Sequence, residues 1–250
     1  MRTFVMGDIH GAYQALMECL RRSGFDYGAD TLIQLGDIAD GGDRVYECVE
    51  ELLKIRNLIA IRGNHDEWFS EFIRSGFHPQ AWLGGGKGTA VSYLRTIGKE
   101  NRIVYSENGY YTSLNPGDIP ETHQRFFRGQ HLYYIDDDNN CFVHAGFDRH
   151  QAFKGQRPEV YYWNRELWSE ALSWETSARR HGKKAGFQMI TPFREIYIGH
   201  TSTINWATDK PMQAANIHNV DTGAGHAGRL TIMDVGTKQF WQSDPVPGSK

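Results

Sequence analysis

The N-terminal stretch through Asp66 carries one pattern three times: a short apolar run that ends in a glycine followed by an acidic or amide residue. Thr3 to Met6 leads into Gly7-Asp8, Thr31 to Leu35 into Gly36-Asp37, and Leu58 to Ile61 into Gly63-Asn64-His65-Asp66. Between the runs, Tyr13 to Arg22 puts Leu16, Met17 and Leu20 on one helical face, and Val45 to Ile55 does the same with Val45, Val49, Leu52 and Leu53. Continuous apolar runs alternating with amphipathic helices predict parallel strands joined by crossovers. The interval from Asp8 to Asp37, and again to Asn64, is close to the roughly 30 residues of a βαβ unit. Ligands in open α/β sheets bind beyond the carboxyl ends of the strands. Three polar clusters are therefore predicted to meet on one rim.

Beyond these residues the pattern loosens. Lys87 to Leu94 and Pro120 to Phe127 have helical spacing. From His131 onward short strands are predicted at His131 to Ile135, Cys141 to Val143, Glu195 to Ile198, Ile217 to Val220, Arg229 to Asp234 and Gln239 to Gln242, with Asp136 to Asn140 as a hairpin turn. These are read as a second sheet packed on the first rather than as a separate domain. At 250 residues the chain can bury one substantial α/β core.

Five strand-end clusters carry the chemistry. If the chain stays extended through Asp8-Ile9-His10, the carboxylate and the imidazole point the same way and can share a divalent ion. Asp37, one residue past its strand, could bridge two cations, and Asp40 follows in the same turn; a solvated strand-end turn would read the same. Asn64 offers a hard carbonyl oxygen and His65 is a candidate acid, although Asn64 could equally be a helix N-cap. His144 in His-Ala-Gly and His200 in Gly-His-Thr each follow a short apolar strand. Together, oxygen and imidazole donors without thiolate suit two borderline-to-hard first-row ions.

This set resembles the calcineurin-like metallophosphoesterases, in the phosphoprotein-phosphatase branch. That family's GDxHG, GDxxDRG, GNH(D/E), HAG and GH motifs correspond to Gly7 to Gly11, Asp37 to Asp40, Gly63 to Asp66, His144 to Gly146 and Gly199-His200. Tyr162 to Glu166 is similar to a Trp-Asn-Arg segment, and Trp82 to Gly86 is a looser version of a Trp-Leu-Asn-Gly-Gly segment. The resemblance implies a four-layer α/β/β/α sandwich in a single domain, residues 1–243, with 244–250 as a flexible tail. It implies that Asp8, His10 and Asp37 bind one metal and that Asp37, Asn64, His144 and His200 bind a second. His65 would protonate the leaving group, oriented by Asp40, and Arg165 and Asn64 would hold the phosphate. The implied cofactors are two divalent ions, with manganese favoured and iron or zinc compatible. The implied reaction is hydrolysis of phosphate monoesters, on phosphoserine or phosphothreonine proteins or small phosphoesters, by in-line attack of a metal-bridging hydroxide. The alternative is a nucleotide or nucleic-acid phosphoesterase. A binding module that kept the fold without catalysis is the third reading, disfavoured because every ligand position is filled.

One departure stands out. Where the family carries a phosphate-binding arginine after Asp40, this chain has Gly41, and Arg44 or Arg62 is the candidate replacement. GGGKGT at Gly84 to Thr89 fails the P-loop pattern and reads as a mobile surface loop. His226 is a candidate for the rim of the site. Trp163, Trp168, Trp174, Tyr110 and Tyr111 are read as core by default, and the basic run Arg179 to Lys184 as a solvated loop.

Lys and Arg number 27 against 30 Asp and Glu, a net charge of −3, which leaves no electrostatic footprint for generic duplex binding. No apolar run approaches the roughly 20 residues a bilayer span needs. Three widely spaced cysteines, Cys19, Cys48 and Cys141, suggest no disulfide framework. The expected location is cytoplasmic, and the expected partner is a phosphorylated substrate.

Overall fold

The computed structural model describes residues 1–77, 82, 85–100, 102, 104–106, 109–180 and 189–247. The three N-terminal runs form β1 (Thr3–Met6), β2 (Thr31–Gln34) and β3 (Asn57–Ala60), paired in parallel. Helices α1 (Tyr13–Ser23) and α2 (Val45–Leu52) lie between them, and α3 (Asn64–Ser75) follows β3. Next come α4 (Lys87–Thr96), a hairpin of β4 (Val104–Ser106) and β5 (Gly109–Tyr111), and α5 (Glu121–Gly129). The second half contributes β6 (Tyr133–Ile135), β7 (Cys141–Val143), α6 (Pro158–Trp163), α7 (Glu166–Arg180), β8 (Ile196–Ile198), β9 (Met212–Ala214), β10 (Ile217–Asn219), β11 (Thr231–Asp234) and β12 (Phe240–Gln242).

Two five-stranded sheets result, in the orders β12-β11-β1-β2-β3 and β6-β7-β8-β10-β9. The period-two alternation of strand side chains sorts the core into three layers. Phe4, Met6 and Leu32 face outward onto α1, α2 and α3, together with Leu16, Val49 and Phe69. Val5 and Ile33 face inward and meet Phe142, Tyr197 and Val220 of the second sheet. Cys141, Val143, Ile196 and Ile198 point to the far side, against Tyr161, Leu167, Trp168 and Ala171 of α6 and α7. Helix, sheet, sheet and helix stack as the expected single-domain sandwich.

Two sequence assignments need correction. Strands β11 and β12 belong to the first sheet: β11 pairs antiparallel with β1, and β12 with β11. All four residues of β11 are buried, as a central strand of either sheet would be, so its local pattern carries no sheet identity. The stretch expected to be loose from 244 onward is held at its start. Arg22 pairs with Asp244 at 2.8 Å, the Val246 N–H donates to Gly228 O at 2.7 Å, and Val246 packs on the outer core. Residues 248–250 lie outside the described residues. Helices α6 and α7 had no sequence assignment.

Candidate active site

The carboxyl ends of β1, β2, β7, β8 and β10, together with the start of α3, share one rim, and every clustered residue predicted from the sequence is placed there. Glycines make the approach possible. A Cβ on Gly63 would collide with the Asp37 carboxylate, and one on Gly199 with that of Asp8. The glycine preceding each Asn or His therefore leaves room for a neighbouring strand's ligand.

Asp37 is central. It is 2 % exposed, and its Oδ2 lies 3.6 Å from His10 Nε2 and 3.4 Å from His144 Nε2. The His65 backbone N–H donates to its Oδ1 at 3.0 Å. His144 Nε2 is also 3.1 Å from Asn64 Oδ1, while Nδ1 donates to the Leu35 carbonyl at 2.7 Å. That second bond fixes the ring and directs the Nε2 lone pair into the pocket, as an outer-shell partner does for a metal-bound imidazole. Donor atoms of Asp37, His144 and His200 lie within 4.8 Å of one another, and so do those of His10, Asp37 and His65. Asp8 accepts from the His200 N–H at 3.1 Å, which ties β1 to β8.

The premise of an extended Asp8-Ile9-His10 does not hold. Strand β1 ends at Met6, and His10 is left-handed with φ 49°. Ile9 and His10 N–H both donate to Asp37 O, at 3.0 and 2.8 Å, so a turn knitted to the next loop, not strand pleat, carries His10 inward. Asp37, Asp40 and His200 are also left-handed (φ 53°, 70° and 65°). Half of the eight described non-glycine residues with positive φ are thus predicted site residues, the clustering of strain expected at a functional centre.

Electrostatics fit a cation pocket. Burial, then the neighbouring charges of Asp221 and Asp37, raise the Asp8 carboxyl well above its usual range, and burial lifts Asp221 to about 6. Burial brings His10 down to about 4, against the pull of Asp37, and lowers His200 strongly, helped by His144. Crowded buried carboxylates beside the lowered His10 and His200 imidazoles are a donor set that divalent ions bind, while, against the effect of burial on both, His144 holds Asp37 well below its usual range and Asp37 in turn raises His144. Asp221 was missing from the predicted site set; its position two residues past the end of β10, close to that of His144 directly after β7, was the available signal.

Beside His10, with ring centroids 4.9 Å apart, His65 has its Nδ1 2.7 Å from Asp40 Oδ2. Burial works against its protonation, but Asp37 and the Asp40 hydrogen bond outweigh it and lift His65 to about 9. Asp40 is wholly buried. Its Oδ1 accepts from Trp82 Nε1 at 2.7 Å and from the Thr89 hydroxyl at 2.9 Å, and that same hydroxyl accepts from the Asp40 N–H at 2.8 Å. The described part of the glycine-rich stretch is therefore no surface loop. A Cβ on Gly85 would touch His65, one on Gly88 would collide with the carbonyls of Gly41 and Gly42, and α4 delivers Thr89 to Asp40. Leu83 and Gly84 lie outside the described residues.

Asp66 is a further unread member. Its Oδ1 accepts from the Ile38 and Ala39 N–H groups and its Oδ2 from Gly63 N–H and Gln130 Nε2, at 2.8 to 3.2 Å. It, rather than Asn64, secures the start of α3 and the loop that carries Asp37.

Arg165 is exposed at the mouth and donates from Nε to His200 Nε2 at 3.0 Å. Asn164 caps α7 through the Leu167 N–H at 3.1 Å. Neither proposed arginine replacement is placed for phosphate. Arg44 lies over Tyr13 and pairs with Glu47; Arg62 pairs with Glu67 and donates to the carbonyls of Phe127 and Arg128. Gly41 has φ 76°, and a Cβ there would be 3.0 Å from His10 Cβ. The segment carrying His226 closes over His10, since a Cβ on Gly225 would collide with that ring. His226 itself is exposed. Of the aromatics, Trp168 is buried and Trp163 is 41 % exposed. The Tyr110 side chain and residues 181–184 lie outside the described residues.

The family model described as calcineurin-like phosphoesterase matches residues 1–201. The chain is 26% identical to serine/threonine-protein phosphatase 1 of Salmonella typhimurium, over 93% of this chain and 91% of that protein. It is 23% identical to an asymmetrical bis(5'-nucleosyl)-tetraphosphatase of Halalkalibacterium halodurans, over 93% and 89%. The crystal structure of a putative diadenosine tetraphosphatase superposes with a TM-score of 0.65 at 16% identity, over 96% of this chain and 92% of that one, a likeness of fold.

Proposed function

The chain belongs to the calcineurin-like phosphoesterases, a binuclear metal-dependent family that hydrolyses phosphate esters, and on that premise we propose that it is a phosphomonoesterase acting through His65 as general acid. The observation that carries the reading is the Asp37 carboxylate, which meets His10 and His144, with the hydrogen-bonded His65–Asp40 pair beside His10. Asp8, His10 and Asp37 would hold one ion, and Asp37, Asn64, His144 and His200 the other. Manganese suits these oxygen and imidazole donors, and iron or zinc would also be accepted. Bound, the ions would neutralise the phosphoryl oxygens and activate the attacking water. The chain's own groups supply the rest. Arg165 steers the phosphate to the mouth, with Asn64 beside it, Asp40 orients His65, and His65 Nε2 delivers a proton to the departing oxygen.

The test is hydrolysis of p-nitrophenyl phosphate by the purified protein with manganese, its loss in Asn64→Ala and His144→Ala, and a loss in His65→Ala that is larger on phenyl phosphate, whose leaving group needs the proton. Full activity in His144→Ala would overturn the ligand assignment. One observation favours a second reading, a nucleotide phosphoesterase: Gly41 leaves Arg165 as the arginine at the mouth, which weakens the grip on a monoester dianion. Turnover of dinucleoside polyphosphates above that of monoesters would select it. Among the described residues no helix is long and apolar enough to cross a membrane. Three buried free cysteines are compatible with the cytoplasm.

A further inference from the structure

We infer that Trp163 and Trp68 form a stacking subsite for a flat aromatic leaving group, so that aryl or nucleoside phosphates are preferred to aliphatic phosphate esters. The inference deepens the phosphatase reading and rests on it. Trp163 ends α6, two residues before Arg165, and is 41 % exposed. Its ring stands edge-on to His200, with centroids 5.5 Å apart and planes at 87°. It also leans on Trp68, at 5.5 Å and 55°. Trp68 in turn is edge-on to His65, at 4.8 Å and 75°, because the two sit three residues apart on the first turns of α3.

The two indoles thus make a wall from His200, on the metal side, to His65, on the acid side. The ester oxygen that His65 protonates must lie against that ring, so the group attached to it leaves along the wall. Indole offers a serine or glycerol leaving group only hydrocarbon, whereas an aromatic ring gains stacking on the π-face. A tyrosine ring and a nucleobase share this chemistry.

The experiment compares kcat/KM on phosphotyrosine, diadenosine tetraphosphate and β-glycerophosphate, for the wild-type protein, Trp163→Phe and Trp163→Leu, with manganese. Trp163→Leu should lower the ratio of aromatic to aliphatic kcat/KM about ten-fold, and Trp163→Phe should restore most of it. A fall confined to phosphotyrosine identifies the aryl source, and one confined to the dinucleotide the nucleoside source. An unchanged ratio, including equal losses on all three esters from a general disturbance, overturns the proposal. Quenching of tryptophan emission by AMP and by phosphotyrosine, with inorganic phosphate as control, reads the subsite without catalysis. Quenching in the wild type that disappears in Trp163→Leu supports it even if every ester is refused, an outcome that would end the phosphatase reading alone. Identical quenching in both proteins overturns it.

Discussion

Trp82 Nε1 donates to Asp40 Oδ1 at 2.7 Å, an interaction spanning 42 residues of sequence. With the Thr89 hydroxyl it fixes one oxygen of Asp40 and leaves the other for His65. If the pair orients the acid, its loss should appear where proton donation limits the rate. Trp82→Phe and Thr89→Val should lower turnover of phenyl phosphate about ten-fold more than that of p-nitrophenyl phosphate, whose leaving group departs without a proton. Thr89→Ser should behave as wild type. Equal losses on both esters would reduce the two residues to packing.

The charge state of His65 gives a pH signature. In the metal-free protein its value of about 9 lies above the ordinary 6.5, raised against burial by Asp37 and by the Asp40 hydrogen bond; bound cations would offset the Asp37 charge, so phenyl phosphate turnover should show an alkaline limb below about 9. The stability it adds to chelated protein has the same sign. It is fully present below 6.5 and lost as pH rises through about 9. In pH–rate profiles Asp40→Asn should move that limb to lower pH; an unmoved limb would show that another group titrates.

Metal and proton should compete. Asp8 and Asp221 hold protons above their usual range, Asp221 to about 6. A raised carboxyl destabilises the metal-free fold once pH exceeds its unfolded value, increasingly until the folded pKa is passed. A cation relieves that repulsion. The manganese-induced rise in Tm should therefore be larger near about pH 7.5 than near about pH 5.5. Equal rises in thermal-shift measurements would contradict the electrostatic account of the pocket.

Asp66 accepts four hydrogen bonds with no exposed surface. Asp66→Ala strands those donors at roughly 1–3 kcal/mol for each group left unsatisfied, so urea unfolding should show a loss of at least about 3 kcal/mol. Asp66→Asn keeps an acceptor and should fall between. A loss below about 1 kcal/mol would mean that water replaces the bracket.

Gly41→Arg would not supply the phosphate-binding arginine that the motif resemblance leads one to expect there. Its φ of 76° and the 3.0 Å approach of a Cβ to His10 should cost about 1–2 kcal/mol of stability and disturb His10. The expected result is a lower Tm with no gain in KM for monoesters; a lower KM at unchanged Tm would show that the loop relaxes.

What the sequence revealed and what it hid follow one physical line. Asp8, Asp37, Asn64 and His200 stand beside glycines at strand ends and His144 directly follows β7, where local pattern, strand direction and ligand chemistry coincide. Residues that hold those ligands in place gave no such signal. Asp66 read as a first-turn helix residue, Trp82 as part of a segment with a looser family likeness and Thr89 as part of a loop, because most of their partners lie 27 to 64 positions away. Strand β11 misled for the same reason: burial on both faces records that it is central, not which sheet it joins. Asp8-Ile9-His10 misled because strand periodicity was extended past the last strand residue, into a turn.

The pairing of β11 with β1 has a consequence for biogenesis. The strand that presents Asp8 has β2 beside it early, but its other edge waits for residues 231–234. Asp8 also lacks its backbone donor until His200 has been made. On the ribosome the pocket therefore stays incomplete until residues 231–234 have emerged, and a nascent polypeptide released before then carries the N-terminal ligands without the means to organise them.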